Sequence, residues 1–218
     1  IAAFAAATAD QPVDATFLIK NANFGRGDSE RQKAWTVTAS NKNLSGGAQE
    51  NHCAESYHST YSVSQVIANA PKGVYKLTAQ GFYRQDGTDN ENLPVIYVND
   101  ATSTFPLRTG SENSMGDASA AFLKGQYAIA PAIYQLAEDG DLTVGTKLET
   151  NVTVWCIWDN FQLTYYGTEA DITEIQFGDL IKKAEELRAD ATELKEEELL
   201  AATAAAIDAA LAGSEEIE

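Results

Sequence analysis

The sequence predicts a mainly β protein, an antiparallel β-sandwich followed by an α-helical C-terminal segment. Eight or so short stretches of β-forming residues, separated by turn signals and with no long helical pattern among them, predict the sandwich. After Gly167 the composition turns to Ala, Glu and Lys. From Thr173 onward the apolar residues follow the spacing of a helix, which predicts a different kind of structure for the C-terminal segment.

These patterns divide the 218 residues into three parts. Residues 1–12 are expected to form an Ala-rich helix or tail with a linker, residues 13–167 the sandwich, and residues 168–218 part of a small helical bundle. The two predicted C-terminal helices are so rich in alanine that a third partner is needed, for which residues 1–9 or a missing segment could serve. Both ends look cut from a longer chain, because the sequence begins Ile-Ala-Ala and its only methionine is Met115.

The elements of the sandwich are predicted from alternation and from turn residues. Residues 40–51 are rich in Asn, Ser and Gly and are expected to form a loop, and residues 118–124 one helical turn. A hairpin is expected around Asp139-Gly140, a favoured tight turn. Strands are predicted at residues 16–19, 35–38, 57–67, 74–84, 94–99, 127–136, 141–148 and 152–166.

The closing strand of the sandwich has the clearest pattern. It contains Trp155 and Trp158 and alternates regularly from Asp159 onward. Since side chains alternate along a strand, Asp159, Phe161, Leu163 and Tyr165 are expected to share one face.

Charge and composition exclude some classes of partner. The net charge of −17 argues against nucleic acid, because binding phosphates needs clustered Lys and Arg. Residues 169–218 hold 15 acidic and 4 basic residues, so most of the acidity belongs to a solvated helical surface. No apolar run is long enough to span a bilayer. Cys53 and Cys156 are more simply interpreted as two separate buried thiols than as a disulfide.

Five stretches, in order, carry a resemblance to a known family. They are Asn21-Ala22-Asn23-Phe24, Tyr61 to Gln65, Pro71 to Tyr75 with Gly81 to Arg84, Leu142 to Gly145, and Trp155 to Tyr166. Together these stretches resemble the galactose-binding-like jelly-roll domains of secreted and surface proteins of gut bacteria, which are related in fold to several carbohydrate-binding modules. The resemblance implies a non-catalytic, extracellular or cell-surface jelly-roll module, an accessory part of a larger chain with neighbouring domains.

A site for a glycan needs aromatic planes for the ring faces and a few polar groups for the hydroxyls. The candidates are Trp35, Tyr57, His58, Arg84, Asn99, Trp155 and Trp158. Two alternatives stay open: the tryptophans could be core residues, and Arg84 could instead pair with Asp86 or Asp89. An exposed cluster of Trp35, Tyr57, Trp155 and Trp158 would favour glycan binding. Burial of all four would favour the rival function, a structural or adhesive spacer that contacts proteins.

The family resemblance also implies a structural calcium ion. In related jelly rolls an Asp of the last strand binds Ca²⁺ together with carbonyl oxygens from the first strand region. Asp159 matches that Asp, and Asn21 and Asn23 lie in the corresponding first segment. Gly25 departs from the family, where many members carry an acidic residue, and the alternative is that Asp159 accepts hydrogen bonds from backbone N–H groups.

No motif for catalysis is present. There is no Gly-x-Ser-x-Gly, no phosphate-binding loop and no His-Glu-x-x-His, and the neighbours His52 and Cys53 would point opposite ways along a strand. Carboxylate pairs are plentiful and unspecific, so a glycosidase dyad stays open as an alternative. We expect a binding module and no enzyme.

Overall fold

The computed structural model describes residues 2–25, 33–48, 51–88, 91–150, 152–196 and 201–215. The chain forms two compact units, Ile1–Ile172 and Thr173–Glu218. Asp89, an alternative partner for Arg84, lies outside the described residues.

The first unit is built on two antiparallel sheets. The first sheet consists of β1 (Val13–Asp14), β3 (Lys42–Ala48), β4 (Asn51–Tyr57), β6 (Gly73–Gln85), β9 (Ala132–Leu136) and β11 (Val154–Tyr165). Its strand order is β3-β4-β11-β6-β9, and β1 pairs with β11. The second has the order β2-β5-β10-β7-β8, with β2 (Thr36–Ala39), β5 (Tyr61–Ala70), β7 (Val95–Val98), β8 (Ala101–Thr104) and β10 (Gly140–Leu148). The predicted fold class, a β-sandwich followed by helices, is confirmed.

The strand β11 is covered on both faces over its first half. Every residue from Val154 to Asp159 is buried. Val154, Cys156 and Trp158 enter the core between the two sheets, whereas Trp155 and Ile157 belong to a second apolar cluster on the outer face of the first sheet. Burial on both faces explains why this stretch has an unbroken apolar run where one-sided strands alternate.

A short helix, α2 (Met115–Leu123), covers that outer face. Ala118 and Phe122 of the helix pack with Phe82, Trp155 and Ile157 of the sheet. Ser114 caps the helix by accepting a hydrogen bond from the Asp117 N–H at 3.1 Å, which satisfies one of the N–H groups that a helix start leaves unpaired.

A β-bulge interrupts β11 after Asp159. The register against β6 shifts between Asp159 and Gln162, and Asn160 has a left-handed φ of 53°. As a result Asp159 lies on the outer face with Trp155 and Ile157, while Phe161 returns to the inner core. The prediction that Asp159 and Phe161 share a face is therefore wrong, because an extra residue inverts the alternation.

Two other predictions about strands are wrong. Most of the predicted loop at 40–51 is β3, an edge strand whose Gly46 and Gly47 lie where a Cβ would collide with Met115 and Ser119 of α2. These glycines allow a close approach of the helix and do not mark a loop. The predicted hairpin at Asp139-Gly140 does not form either, because β9 pairs with β6 in one sheet and β10 with β5 and β7 in the other.

The start of the chain also differs from the prediction. The predicted opening strand at 16–19 is a 3₁₀ turn (Thr16–Leu18) after the two-residue β1. The first helix, α1 (Ala2–Ala5), is short, and Phe4 packs on Tyr165 and Phe17 at ring distances of 5.0 and 6.1 Å. The N-terminal segment thus packs on the sandwich.

The second unit contains two helices, α3 (Ile172–Glu196) and α4 (Ala201–Glu215). Four large apolar side chains of α3 at helical spacing are exposed: Phe177, Leu180, Ile181 and Leu187. Within the described ranges, no helix combines the length and the apolar character that crossing a membrane requires. The boundaries predicted for the three parts of the chain stay predictions.

Candidate functional site

The register of the first sheet places three predicted site residues in one row. Trp155 of β11 lies opposite Tyr57 of β4 on one side and Arg84 of β6 on the other. Since directly paired residues of neighbouring strands point to the same face, all three side chains lie on the outer face of the sheet. This row forms the floor of a groove of about 380 Å³ that is lined by Glu55, Tyr57, Arg84, Asn113, Ser114, Met115 and Trp155.

Arg84 lies at the centre of the polar contacts in this row. Its Nε donates to Asp86 Oδ1 at 2.5 Å and its Nη2 to Asp86 Oδ2 at 2.7 Å, a bidentate pair. Its Nη1 donates to Asn113 Oδ1 at 2.6 Å. The alternative of a salt bridge with Asp86 is therefore correct. The guanidinium also lies 4.9 Å from the Trp155 ring centre and 6.0 Å from that of Tyr57, distances at which a cation is attracted to an aromatic face.

Tyr57 provides the exposed aromatic surface of the groove. The residue is 40% exposed, and its ring stacks on that of His58 at 4.0 Å with an interplanar angle of 12°. His58 Nε2 in turn lies 2.8 Å from Asp86 Oδ2. The hydrogen bond from Arg84, followed by that from His58, holds the pKa of Asp86 below its usual value, so this carboxylate stays ionised near neutral pH.

Trp155 supports the site from below. It is buried between Arg84 and Phe82, and the Phe82 ring meets it edge-on at 5.5 Å. Its Nε1 donates to Glu55 Oε2 at 2.7 Å, which fixes both the indole and the carboxylate. Trp155 therefore orients Glu55 and Arg84 and offers little surface of its own.

Four lining residues of the groove were not predicted from the sequence: Glu55, Asn113, Ser114 and Met115. A signal existed for Glu55, which precedes Tyr57 by two residues on the same strand and so shares its face. Asn113 and Met115 flank the cap residue Ser114, and the pattern Ser114-x-x-Asp117 is typical of a helix start. Nothing in the sequence indicates that this helix start lies beside Arg84.

The other three predicted glycan contacts lie elsewhere. Trp35 is buried, stacks on Phe24 at 5.0 Å and donates from Nε1 to the Asn21 carbonyl oxygen, and Trp158 is fully buried and stacked on Tyr61 at 4.8 Å. Both are core residues, Trp158 on β11 and Trp35 directly before β2, so neither offers a surface to a ligand. The Asn99 side chain accepts from the Thr143 N–H at 2.8 Å in the turn between β7 and β8 of the second sheet.

The three residues predicted for calcium do not converge. Asp159 lies on the outer face and accepts from the Asn160 N–H at 2.7 Å, while its Oδ2 has no hydrogen-bond partner among the described residues. The Asn21 carbonyl oxygen is occupied by the N–H groups of Phe24 and Trp35, and Asn23 Oδ1 accepts from the Gly25 N–H. Calcium binding stays a prediction.

The described part of the chain shows neither an exposed thiol nor a metal-binding cluster. Both cysteines are free and buried, as predicted, and burial raises the pKa of Cys53 to about 12. No group of three or more His, Cys, Asp or Glu side chains that could hold a metal ion occurs among the described residues.

A larger concavity, of about 560 Å³, lies where the N-terminal segment meets the sandwich. Phe4, Phe17, Leu18 and Ile67 give it a mainly apolar lining. Such a lining suits apolar groups, whereas the smaller groove at Arg84 presents carboxylate, amide and guanidinium groups beside an aromatic ring. The smaller groove is therefore the better candidate for a polar ligand.

No family model matches this sequence, and no curated protein matches it. Among solved structures, the chain is similar to TmCBM61 in complex with β-1,4-galactotriose, at 14% identity and a TM-score of 0.41, over 68% of this chain and 97% of that one. It is also similar to a cyclase from Fischerella sp. TAU (12% identity, TM-score 0.43, 73% and 100% of the chains). A third similarity is to the CBM22-1 xylan-binding domain of Xyn10C from Paenibacillus barcinonensis (12% identity, TM-score 0.35, 67% and 92%). At these TM-scores and identities, such similarities assign neither a ligand nor a reaction to this chain.

Proposed function

We propose that this protein is a non-catalytic carbohydrate-binding module that holds a glycan in the groove above Tyr57, Trp155 and Arg84. The observation that carries the proposal is the combination of one exposed aromatic ring with oriented polar groups in a concave site. Tyr57 offers a plane for the C–H face of a sugar ring, and Glu55, Arg84 and Asn113 offer partners for its hydroxyls.

The polar groups of the groove are held in place before a ligand arrives. Asn113 and Asp86 fix the Arg84 guanidinium, and the Trp155 indole fixes Glu55. Preorganised groups lose little conformational entropy on binding, so a shallow groove can still give useful affinity. Extracellular or cell-surface location and a place in a larger protein belong to this proposal as well.

The exposure of Tyr57 favours glycan binding over the spacer function. Burial of all four aromatic residues was the expectation for a spacer, and Tyr57 does not meet it. The burial of Trp35, Trp155 and Trp158 reduces the aromatic platform to one ring, which favours a contact with one or two sugar units over a long flat chain.

Glycan binding by the whole chain, measured on a glycan array and then by titration calorimetry, tests the proposal. We expect Tyr57→Ala to weaken binding roughly two- to tenfold, since a lost aromatic contact is worth about 0.5–1.5 kcal/mol. Arg84→Ala should weaken it at least as much, because a hydrogen bond from a charged donor is lost. Lys147→Ala is a matched control: Lys147 lies 5.7 Å from the Tyr97 ring and 3.0 Å from Glu149, two residues on, in the second sheet.

Thermal melting must first show that each variant is folded, so that a loss of binding is not caused by unfolding. Loss of binding in the two groove variants, with Lys147→Ala unchanged, supports the proposal. An array on which no plant, host or microbial glycan binds the wild-type protein would overturn it and return the spacer function.

A further inference from the structure

The negative charges at the groove outnumber the positive ones. Among the described lining residues Arg84 is the one cationic side chain, and both oxygens of Asp86 are bonded to it at 2.5 and 2.7 Å. Asp86 also accepts from His58. The positive charge of the guanidinium is thus compensated before a ligand arrives.

A second carboxylate, Glu55, faces the same groove and has no cationic partner among the residues that the structure describes. Glu55 is bonded to the neutral indole N–H of Trp155, which leaves its negative charge in place. Counted together, Arg84, Asp86 and Glu55 carry a net negative charge, and the whole chain carries −17. An anionic ligand would therefore meet repulsion both on approach and in the site.

Recognition of a carboxylate or sulfate on a sugar usually requires an arginine fork that is free to bind it. In this groove the fork is already taken by Asp86, and releasing it would leave the Asp86 carboxylate without its bidentate partner. Sugar hydroxyls face no such cost, because carboxylate and amide oxygens accept from them directly.

We infer that the groove selects uncharged sugars and rejects uronic acids, sialic acids and sulfated sugars, and that Asp86 and Glu55 set this preference. The inference rests on the proposed function and narrows it to a ligand class. Asp86 acts as a positioning residue, since it works by holding and neutralising Arg84, whereas Glu55 faces the ligand directly.

Binding to matched pairs of glycans, with one neutral and one charged member, tests this inference. Suitable pairs are methyl-esterified and de-esterified homogalacturonan, and the neutral and sialylated forms of one N-glycan, each measured at low and at physiological salt. We expect wild-type protein to bind the neutral member of a pair at least tenfold more tightly, and the difference to shrink as salt screens the repulsion.

Two variants that remove a charge but keep the shape of the side chain complete the test. Asp86→Asn frees the Arg84 fork and Glu55→Gln removes the facing charge, so each should narrow the neutral-to-charged ratio several-fold, by strengthening binding of the charged member. Glu149→Gln removes the same charge directly after β10 of the second sheet and should leave the ratio unchanged.

Failures of the two proposals are distinguishable. Equal or tighter binding of the charged glycans by wild-type protein overturns the selectivity while glycan binding itself stands. A ratio that moves equally in Glu149→Gln shows that overall charge, and not the groove, sets the preference. Binding to neither member of any pair, nor to any other glycan, overturns the proposed function and the selectivity with it.

Discussion

Asp159 is a carboxyl group in an unfavourable place. It is fully buried beneath α2, its Oδ2 has no hydrogen-bond partner among the described residues, and Cys53 is its neighbour on the same face. Burial, opposed by hydrogen bonds from Asn160 and Asn51, raises the pKa of Asp159 to about 8. A group buried in this way binds its proton more tightly in the folded state than in the unfolded chain.

The raised pKa of Asp159 predicts that the contribution of this residue to stability decreases as the pH rises. The folded state holds the proton up to about pH 8, whereas the unfolded state releases it near the ordinary value of 3.8. The contribution of Asp159 to the free energy of unfolding should therefore be largest below about pH 4 and decrease as the pH rises to about 8, by up to a few kcal/mol.

Asp159→Asn, which cannot ionise, tests this prediction by thermal melting across pH. We expect the variant to be more stable than wild type at pH 8, by roughly 1–3 kcal/mol, and no more stable at pH 4. Asp100→Asn, at an exposed aspartate, serves as the control. Equal melting of wild type and Asp159→Asn at every pH would contradict the prediction.

The same residue shows where inference from alternation ends. Tyr57, His58, Arg84 and Trp155 could be grouped from residue type alone, and the structure brings these four together. Asp159 was assigned to the wrong face because one extra residue at Asn160 reverses every later side chain. A left-handed asparagine leaves no unique signal in a strand sequence, so the bulge could not be predicted.

At the scale of elements, the missing side chain of Gly145 allows two neighbouring strands to lie close together. It is in β10, between β5 and β7, and a Cβ at this position would collide with the Val63 carbonyl oxygen and the Ser64 Cα. Both are backbone atoms, which cannot move aside as the end of a side chain can.

Gly145→Ala should therefore destabilise the sandwich by about 2 kcal/mol or more, seen as a lower melting temperature or denaturant midpoint. Gly178→Ala in α3 is the opposite case, since an added Cβ meets no atom within 4 Å. This second variant should raise helix stability by up to about 1 kcal/mol. A tolerated Gly145→Ala would mean that the strands can separate at little cost.

For the strands with a regular alternation, the local pattern predicted the strand but not its partners. The alternation of 74–84 and 141–148 identifies β6 and β10 almost to their ends. The Asp139-Gly140 turn suggested a hairpin, yet β9 and β10 join different sheets because each has a longer partner there. Pairing depends on which surfaces are left to bury across the whole sandwich, and a local turn signal carries no information about that.

At the scale of the whole molecule, calcium is the remaining prediction for the sandwich. If the ion binds Asp159, adding calcium should raise the melting temperature of wild-type protein and EDTA should reverse the rise, because a ligand that binds only the folded state stabilises it. Asp159→Asn should abolish the response. An identical melting temperature with calcium and with EDTA would remove calcium from the description of this protein.

The two buried thiols can be used as probes of how the sandwich opens. Cys53 lies under α2 on the outer face of the first sheet, and Cys156, on the neighbouring strand, faces the core between the sheets. A thiol reagent reaches Cys53 once the helix lifts, but reaches Cys156 only when the two sheets part. In the single-cysteine variants Cys156→Ser and Cys53→Ser, the two labelling rates would thus separate a local breathing motion, next to the groove, from global unfolding.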